Sequence, residues 1–293
     1  TCSADIGLMS ISYTCFDGES SFSHALSLTT TGVNTSRLNR LEHFVSDFPA
    51  EGIHMSGEAL HSQLDEIERI HGLYSPAALG LASALACGAF TFLLGGGPLE
   101  MILAFAGAGI GNAIRCKLGK HHFTLFMCIA VSVSSACLVY AGFLKLAELL
   151  FHISVQHEAG YICSMLFIIP GFPFITSGID LAKLDMRSGL ERLAYAIIVV
   201  MVAAVSAWLM ALLLHLRPVD FLPLKLSAAQ RVLFRLLASF CGVFGFSVMF
   251  NSPFRLAAAA AFIGALSNTF RLELVDLAGF PPAAAAFLGA LTA

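Results

Sequence analysis

F-I-I-P-G-F-P-F-I-T-S-G-I-D-L-A-K-L-D-M-R-S-G-L-E-R, residues 167–192, opens as an apolar helix and breaks at Pro170-Gly171-Phe172-Pro173. It resumes with Thr176, Ser177 and Asp180 and ends in a polar turn that restarts a helix at Ser188. Two prolines in an apolar segment of membrane length remove two backbone donors and press on the preceding turn, so no helix runs through them unbroken. The carbonyls of Leu166 and Ile169, which those donors would have met, are expected to be free. Unpaired backbone at membrane depth is tolerated only where protein or a water-filled cavity satisfies it, and many transporters build substrate sites that way. The stretch therefore predicts an all-α polytopic membrane protein with a broken crossing.

Composition agrees. Of 293 residues, 57% are hydrophobic and 12% charged, and the mean hydropathy is +0.82, whereas a soluble domain carries about 25% charged residues. The net charge of -3 is spread thinly, and no basic stripe with interleaved aromatics points to nucleic acid. The eight cysteines occur singly with no C-x-x-C pair, which argues for core-filling thiols over a disulfide framework or a zinc site. No cofactor is implied.

Residues 1–75 look soluble and predict a small α+β domain. Residues 6–16 and 21–31 are β-leaning runs around Asp17-Gly18, a hairpin signal. Leu38, Leu41, Phe44, Val45 and Phe48 keep a helical period, and Ser56 can cap a second helix with Leu60, Leu64, Ile67 and Ile70 on its apolar face. His24, His43, His54, His61 and His71 lack H-x-x-x-H spacing and read as surface histidines. Thr1 is not an initiator methionine, so the natural start is expected upstream.

Seven or eight crossings are expected beyond that domain, each near the ~20 apolar residues a bilayer requires. They fall at residues 76–94, 99–114, 123–144, 161–179 (the broken fourth), 193–214, 232–250 and 256–270, with an eighth begun at 283–293. Residues 76–216 thus form a five-helix module, 217–234 a linker with Pro218 and Pro223, and 235–293 the start of a second module. Gly107, Gly109 and Gly111 read as close helix packing. The Lys/Arg bias puts the N-terminal domain and the loops after the second and fourth crossings in the cytoplasm. Arg217, Lys225, Arg231 and Arg235 in the linker region then fall outside, so either a half-span restores the sign or the two modules set their topologies separately.

The chemistry of the broken helix follows from elementary rules. A half-helix starting near Pro173 presents N–H groups and a positive dipole end to a carboxylate. Thr176 and Asp180, at i and i+4, share a face with a vertical separation of ~6 Å, about the reach of a small amino acid. Leu166, Ile169, Pro170, Gly171, Pro173, Thr176 and Ser177 are the candidate substrate-binding residues, with Asp180 or the freed carbonyls receiving an ammonium. Asp180 is also the candidate for proton coupling. Asp180 can equally be an interfacial carboxylate ending the hydrophobic stretch. Ser188 and Glu191 read as a capping box, Asp185 as a surface partner of Lys183 or Arg187, and Arg192 as an anchor to lipid phosphate. Glu100 reads as a cap at a helix start, and His121, His122, His152 and His157 as membrane-edge histidines.

P-G-F-P at 170–173, Asp180-Leu181, Asp185, Ser188-Gly189-Leu190 and Arg192 resemble the signature of the bacterial threonine/serine exporter family. L-L-G-G-G-P-L-E at 93–100, the Gly-rich helix after it with Arg115, and the helical region 38–69 add to the likeness. The resemblance covers residues 38–217 as one five-span module, and residues 235–293 resemble the beginning of the family's second, smaller module. Thr176 stands where many members place Asn, and Ile179 where some place Arg. What it implies is export of threonine and serine driven by protons, with Asp185, Ser188, Gly189 and Arg192 as secondary site candidates and the rest of the second module as a partner in cis or trans.

Two other classes remain at this level. A small organic acid such as succinate would use the same half-helix dipole. An intramembrane protease would need a G-x-S-G or G-x-G-D context, which Thr176-Ser177-Gly178 and Ile179-Asp180 lack. A purely structural or sensory membrane protein would need no proline-broken helix beside a carboxylate, and that reading stays open at this level. No phosphate-binding loop of the G-x-x-x-x-G-K-[ST] type is present.

Overall fold

A computed structural model describes residues 1–28, 32–121, 123–152, 157–217 and 221–293; Thr31, His122 and Pro218 of the expectations above lie outside them. The chain forms two compact units, Thr1–Val33 with Ile168–Val205, and Asn34–Phe167 with Ser206–Ala293.

The first unit opens with an antiparallel sheet of β1 (Cys2–Ile6), β2 (Ser10–Phe16) and β3 (Ser21–Ser27) in that order. The Asp17-Gly18 hairpin forms as expected: Asp17 Oδ1 accepts from Glu19 N at 3.3 Å and Ser20 N at 3.4 Å. The run 6–16 is not one strand, because Gly7 N donates to Ser10 O and turns the chain after Ile6. The register puts Cys2 opposite Cys15 with the sulfurs 2.7 Å apart, a pairing invisible in their sequence spacing. Helices α6 (Gly171–Ala182) and α7 (Met186–Leu214) supply the rest of this unit, which takes α7 as far as Val205.

In the second unit, α1 (Thr35–Asp47) is capped by Asn34 and α2 (Gly57–Glu68) by Ser56, which accepts from Ala59 N at 3.3 Å. Then come α3 (Pro76–Leu93), α4 (Pro98–Lys120), α5 (Leu125–Phe151), 3-10 turns at Glu158–Tyr161 and Cys163–Ile168, α8 (Ala228–Met249), α9 (Phe254–Ala278) and α10 (Pro282–Leu291). Apolar surface cannot drive helices together in a bilayer, where lipid is equally apolar, so close backbone approach must do it. A Cβ on Gly107 would stand 2.9 Å from Ala136 O, and one on Gly111 would stand 2.9 Å from Ser132 O, which seats α4 against α5. Gly245 brings α8 onto α3 in the same way, 2.5 Å from Ala82 O.

Five helices are long and apolar enough to cross a membrane, namely α3, α4, α5, α7 and α8, and a sixth crossing results if Glu158–Ile168 and Gly171–Ala182 count as one broken span. The expected seventh and eighth crossings correspond to α9 and α10, which are not among them. α9 carries Arg255, Arg271, Glu273 and Asp276, and the 10 residues of α10 reach ~15 Å, half the hydrocarbon thickness. The arm before the break is 3-10 rather than α-helical. The second arm starts at Gly171, two residues before Pro173, so the break falls at Ile169-Pro170. Pro173 then occupies the first turn, where its missing N–H costs no hydrogen bond.

The turn after α8 docks on the start of the second unit: Asn251 Nδ2 donates to Asn34 Oδ1 at 2.7 Å, and Tyr74 Oη donates to Ser252 O at 2.7 Å. Conversely, Leu224, just before α8, lies 3.7 Å from where a Cβ on Gly97 would stand, beside the α3–α4 turn. α8 therefore runs antiparallel to α3, and its first turns lie at the end of α3 away from α1 and α2. Among the described residues no helix lies between Leu214 and Ala228, so no half-span restores the charge sign there. Instead Arg235 pairs with Glu273 at 2.6 Å and Asp276 at 2.5 Å, and Arg231 with Asp276 at 3.6 Å.

Candidate functional site

The candidate residues after the break lie on the α6–α7 hairpin. Ser177 is 1% exposed and its Oγ donates to Gly189 O at 2.7 Å. A Cβ on Gly189 would stand 2.7 Å from Leu181 Cγ, so only glycine lets α7 approach α6 this closely. The expected capping box at Ser188 and Glu191 is not what opens α7. Asp185 does so: its Oδ1 accepts from Ser188 N at 3.3 Å and its Oδ2 from Ser188 Oγ at 2.9 Å. Ser188 Oγ also donates to Ile6 O, Arg187 pairs with Asp5, and Glu191 accepts from Leu8 N at 2.6 Å. Glu191 thus ties the β1–β2 turn to α7, and Ser177, Asp185, Ser188 and Gly189 each have a local partner that accounts for them.

The break itself offers fewer free groups than its sequence suggests. Pro173 cannot donate to Ile169 O, but Gly171 N does, at 2.9 Å. The carbonyl expected to be free is therefore engaged. Phe174 N closes on Pro170 O at 3.2 Å, and Thr176 Oγ1 donates back to Phe172 O at 3.0 Å and Pro173 O at 3.2 Å. Leu166 sits within the 3-10 turn Cys163–Ile168. What remains at the α6 N-terminus is chiefly its dipole rather than a row of waiting donors.

The remaining two candidates meet each other. Arg192 Nη1 donates to Asp180 Oδ2 at 2.7 Å, with side chains 28% and 19% exposed. α6 and α7 position them across the short turn Lys183–Asp185, in which Leu184 takes a left-handed φ of 64°. Twelve residues separate the pair in sequence, and neither periodicity nor motif spacing predicts it. The pair leaves Asp180 and Arg192 each other's ionic partner at the α6–α7 turn.

A second polar cluster was missed because each member had an ordinary local explanation. Glu100, in the first turn of α4, is 1% exposed; its Oε1 lies 2.6 Å from His157 Nδ1, and its buried Oε2 has no hydrogen-bond partner. Tyr140 Oη donates to His157 O at 2.6 Å. The signal available in sequence was that an acid opening an apolar span is by default functional. Among the described residues no group of three His, Cys, Asp or Glu side chains could hold a metal ion.

Searches of the curated proteins and of the solved structures return no match. The family model for threonine/serine exporters matches residues 1–215, from the sheet to the end of α7.

Proposed function

We propose, from the premise that the chain belongs to the threonine/serine exporter family, that it exports threonine and serine across the bacterial cytoplasmic membrane against an inward flow of protons. The observation that carries the reading is the Asp180–Arg192 pair on a hairpin that begins at a proline-broken helix. With the guanidinium on it, Asp180 is closed to the ammonium of a substrate; with the pair open, Asp180 is free to receive it. Protonating the carboxylate also opens the pair, which couples proton arrival to the same motion. Thr176, one turn nearer the α6 N-terminus, is placed to read the substrate's polar side once its hydroxyl leaves Phe172 O.

Succinate fits less well. The Asp180 carboxylate, which suits an ammonium, would repel a second carboxylate on the cargo. The N-terminal sheet and α1–α2 are placed in the cytoplasm on the Lys/Arg bias.

The test uses the full-length protein in proteoliposomes with an imposed proton gradient and labelled threonine, with succinate as the competing cargo. Gradient-driven threonine flux that is lost in Asp180→Asn, with the variant still folded, is the expected result. Succinate flux without threonine flux would replace the cargo, and no flux of either from folded protein would remove transport altogether.

A further inference from the structure

Glu100 and His157 lie where α3 ends and α4 begins, the end of the second unit away from α1, α2 and the Asn251 turn. The carboxyl is the inner member, its side chain 2% exposed, and the imidazole the outer one at 15%. With one proton shared between them, Nδ1–H donates to Oε1 and a net negative charge remains buried, with Oε2 unmet. A second proton on the pair cancels that charge, and a buried unpaired charge is the costly state. The surroundings admit nothing large. A Cβ on Gly97 would stand 2.9 Å from Oε2, and one on Gly160 would overlap the Tyr140 hydroxyl.

The neighbouring titratable groups do not supply the missing charge. Tyr140 of α5 uses its hydroxyl on His157 O, and Cys163 and Tyr161 of the 3-10 turns are buried neutral groups. Glu158, next in sequence to His157, turns its carboxylate to Arg217 N at 2.5 Å. Thr91 of α3 donates its hydroxyl to Cys87 O at 2.7 Å. Among the described residues the ionic partner of Glu100 is His157.

We infer that Glu100 and His157 form a proton-binding site at the end of the bundle opposite α1 and α2, with the imidazole as the port and the carboxyl as the inner acceptor. A proton enters on the imidazole, and the Nδ1 proton passes along the 2.6 Å contact to Oε1; no other bond forms or breaks. The site's role as the entry point for the driving protons rests on the exporter reading above, under which this end faces outward. Its ability to bind a proton does not.

The experiment therefore has two readouts on the full chain. The first is the infrared carboxyl band of the purified protein, followed from acid to alkaline pH. A band that converts between acid and carboxylate across this range, is missing from Glu100→Gln and is displaced in His157→Gln is expected. The same conversion in wild type and Glu100→Gln, or a Glu100 band that does not change over the range, overturns the site. Gln keeps the shape of the carboxyl, and the His157→Gln displacement provides a second reading should Glu100→Gln fold poorly. The second readout is proton-gradient-driven threonine flux, expected to be lost in Glu100→Gln. Retained flux overturns the coupling role, whereas wild-type protein that moves no threonine but shows the band defeats the exporter reading and leaves the site standing.

Discussion

At the residue scale, Asp185 separates a cap from a transport group. Its carboxylate meets both the backbone and the hydroxyl of Ser188, so Asp185→Ala should cost about 1 kcal/mol, seen as a lower melting temperature of the purified protein. Asp185→Asn, which caps nearly as well, should melt like wild type; if it nevertheless loses transport, the residue does more than start α7. Asp17 carries a pH dependence of its own. The backbone N–H of Glu19, and then that of Ser20, hold its carboxyl below the usual carboxylate range. Because the folded value is the lower one, the hairpin's gain is complete above the unfolded value and disappears as pH falls through the folded one. The protection of the Ser20 amide against hydrogen exchange should drop over that acid window in wild type and show no such step in Asp17→Asn.

At the element scale, two backbone positions decide how helices meet. Leu184 turns α6 into α7 at a φ of 64° while 81% exposed, a conformation that costs a non-glycine residue roughly 1–2 kcal/mol. Leu184→Gly relieves that cost and loses little burial, though it adds entropy to the unfolded chain, so the melting temperature should hold or rise. Gly245 is the opposite case. A side chain there meets Ala82 O at 2.5 Å, and Gly245→Val should destabilise by about 1–3 kcal/mol or more through overpacking. Monodisperse, wild-type-stable Gly245→Val in gel filtration and melting would show that α8 does not rest on α3 as described.

At the scale of the whole molecule, the path of the chain through the second unit predicts alternating ends. Alkaline phosphatase fused after Gly96 should be active and after Lys120 inactive, if the cationic loop 115–120 is cytoplasmic. The cationic stretch before and within α8 then lies at the same end as Gly96, where Glu273 and Asp276 neutralise Arg231 and Arg235. Residues far apart in sequence make that arrangement tolerable, and no loop-by-loop count of Lys and Arg contains it.

Composition, proline placement, apolar run length and a capping serine determined by themselves that the chain crosses a membrane, that its 161–179 region breaks, and that Ser56 opens a helix. These follow from backbone valence and local water-to-lipid transfer, which each segment expresses alone. The family signature was equally legible, but it could not say which of its residues do chemistry. Ser177, Asp185, Ser188 and Gly189 are accounted for by packing and capping within the hairpin, and Ile169 O, expected to be free, is taken by Gly171 N. Only the tertiary structure decided the partners: Arg192 for Asp180, His157 for Glu100, Leu8 for Glu191, Cys15 for Cys2. A side chain's partner depends on which elements pack and at what register, and that is settled by glycine contacts and turns whose consequences appear only once distant segments are brought together.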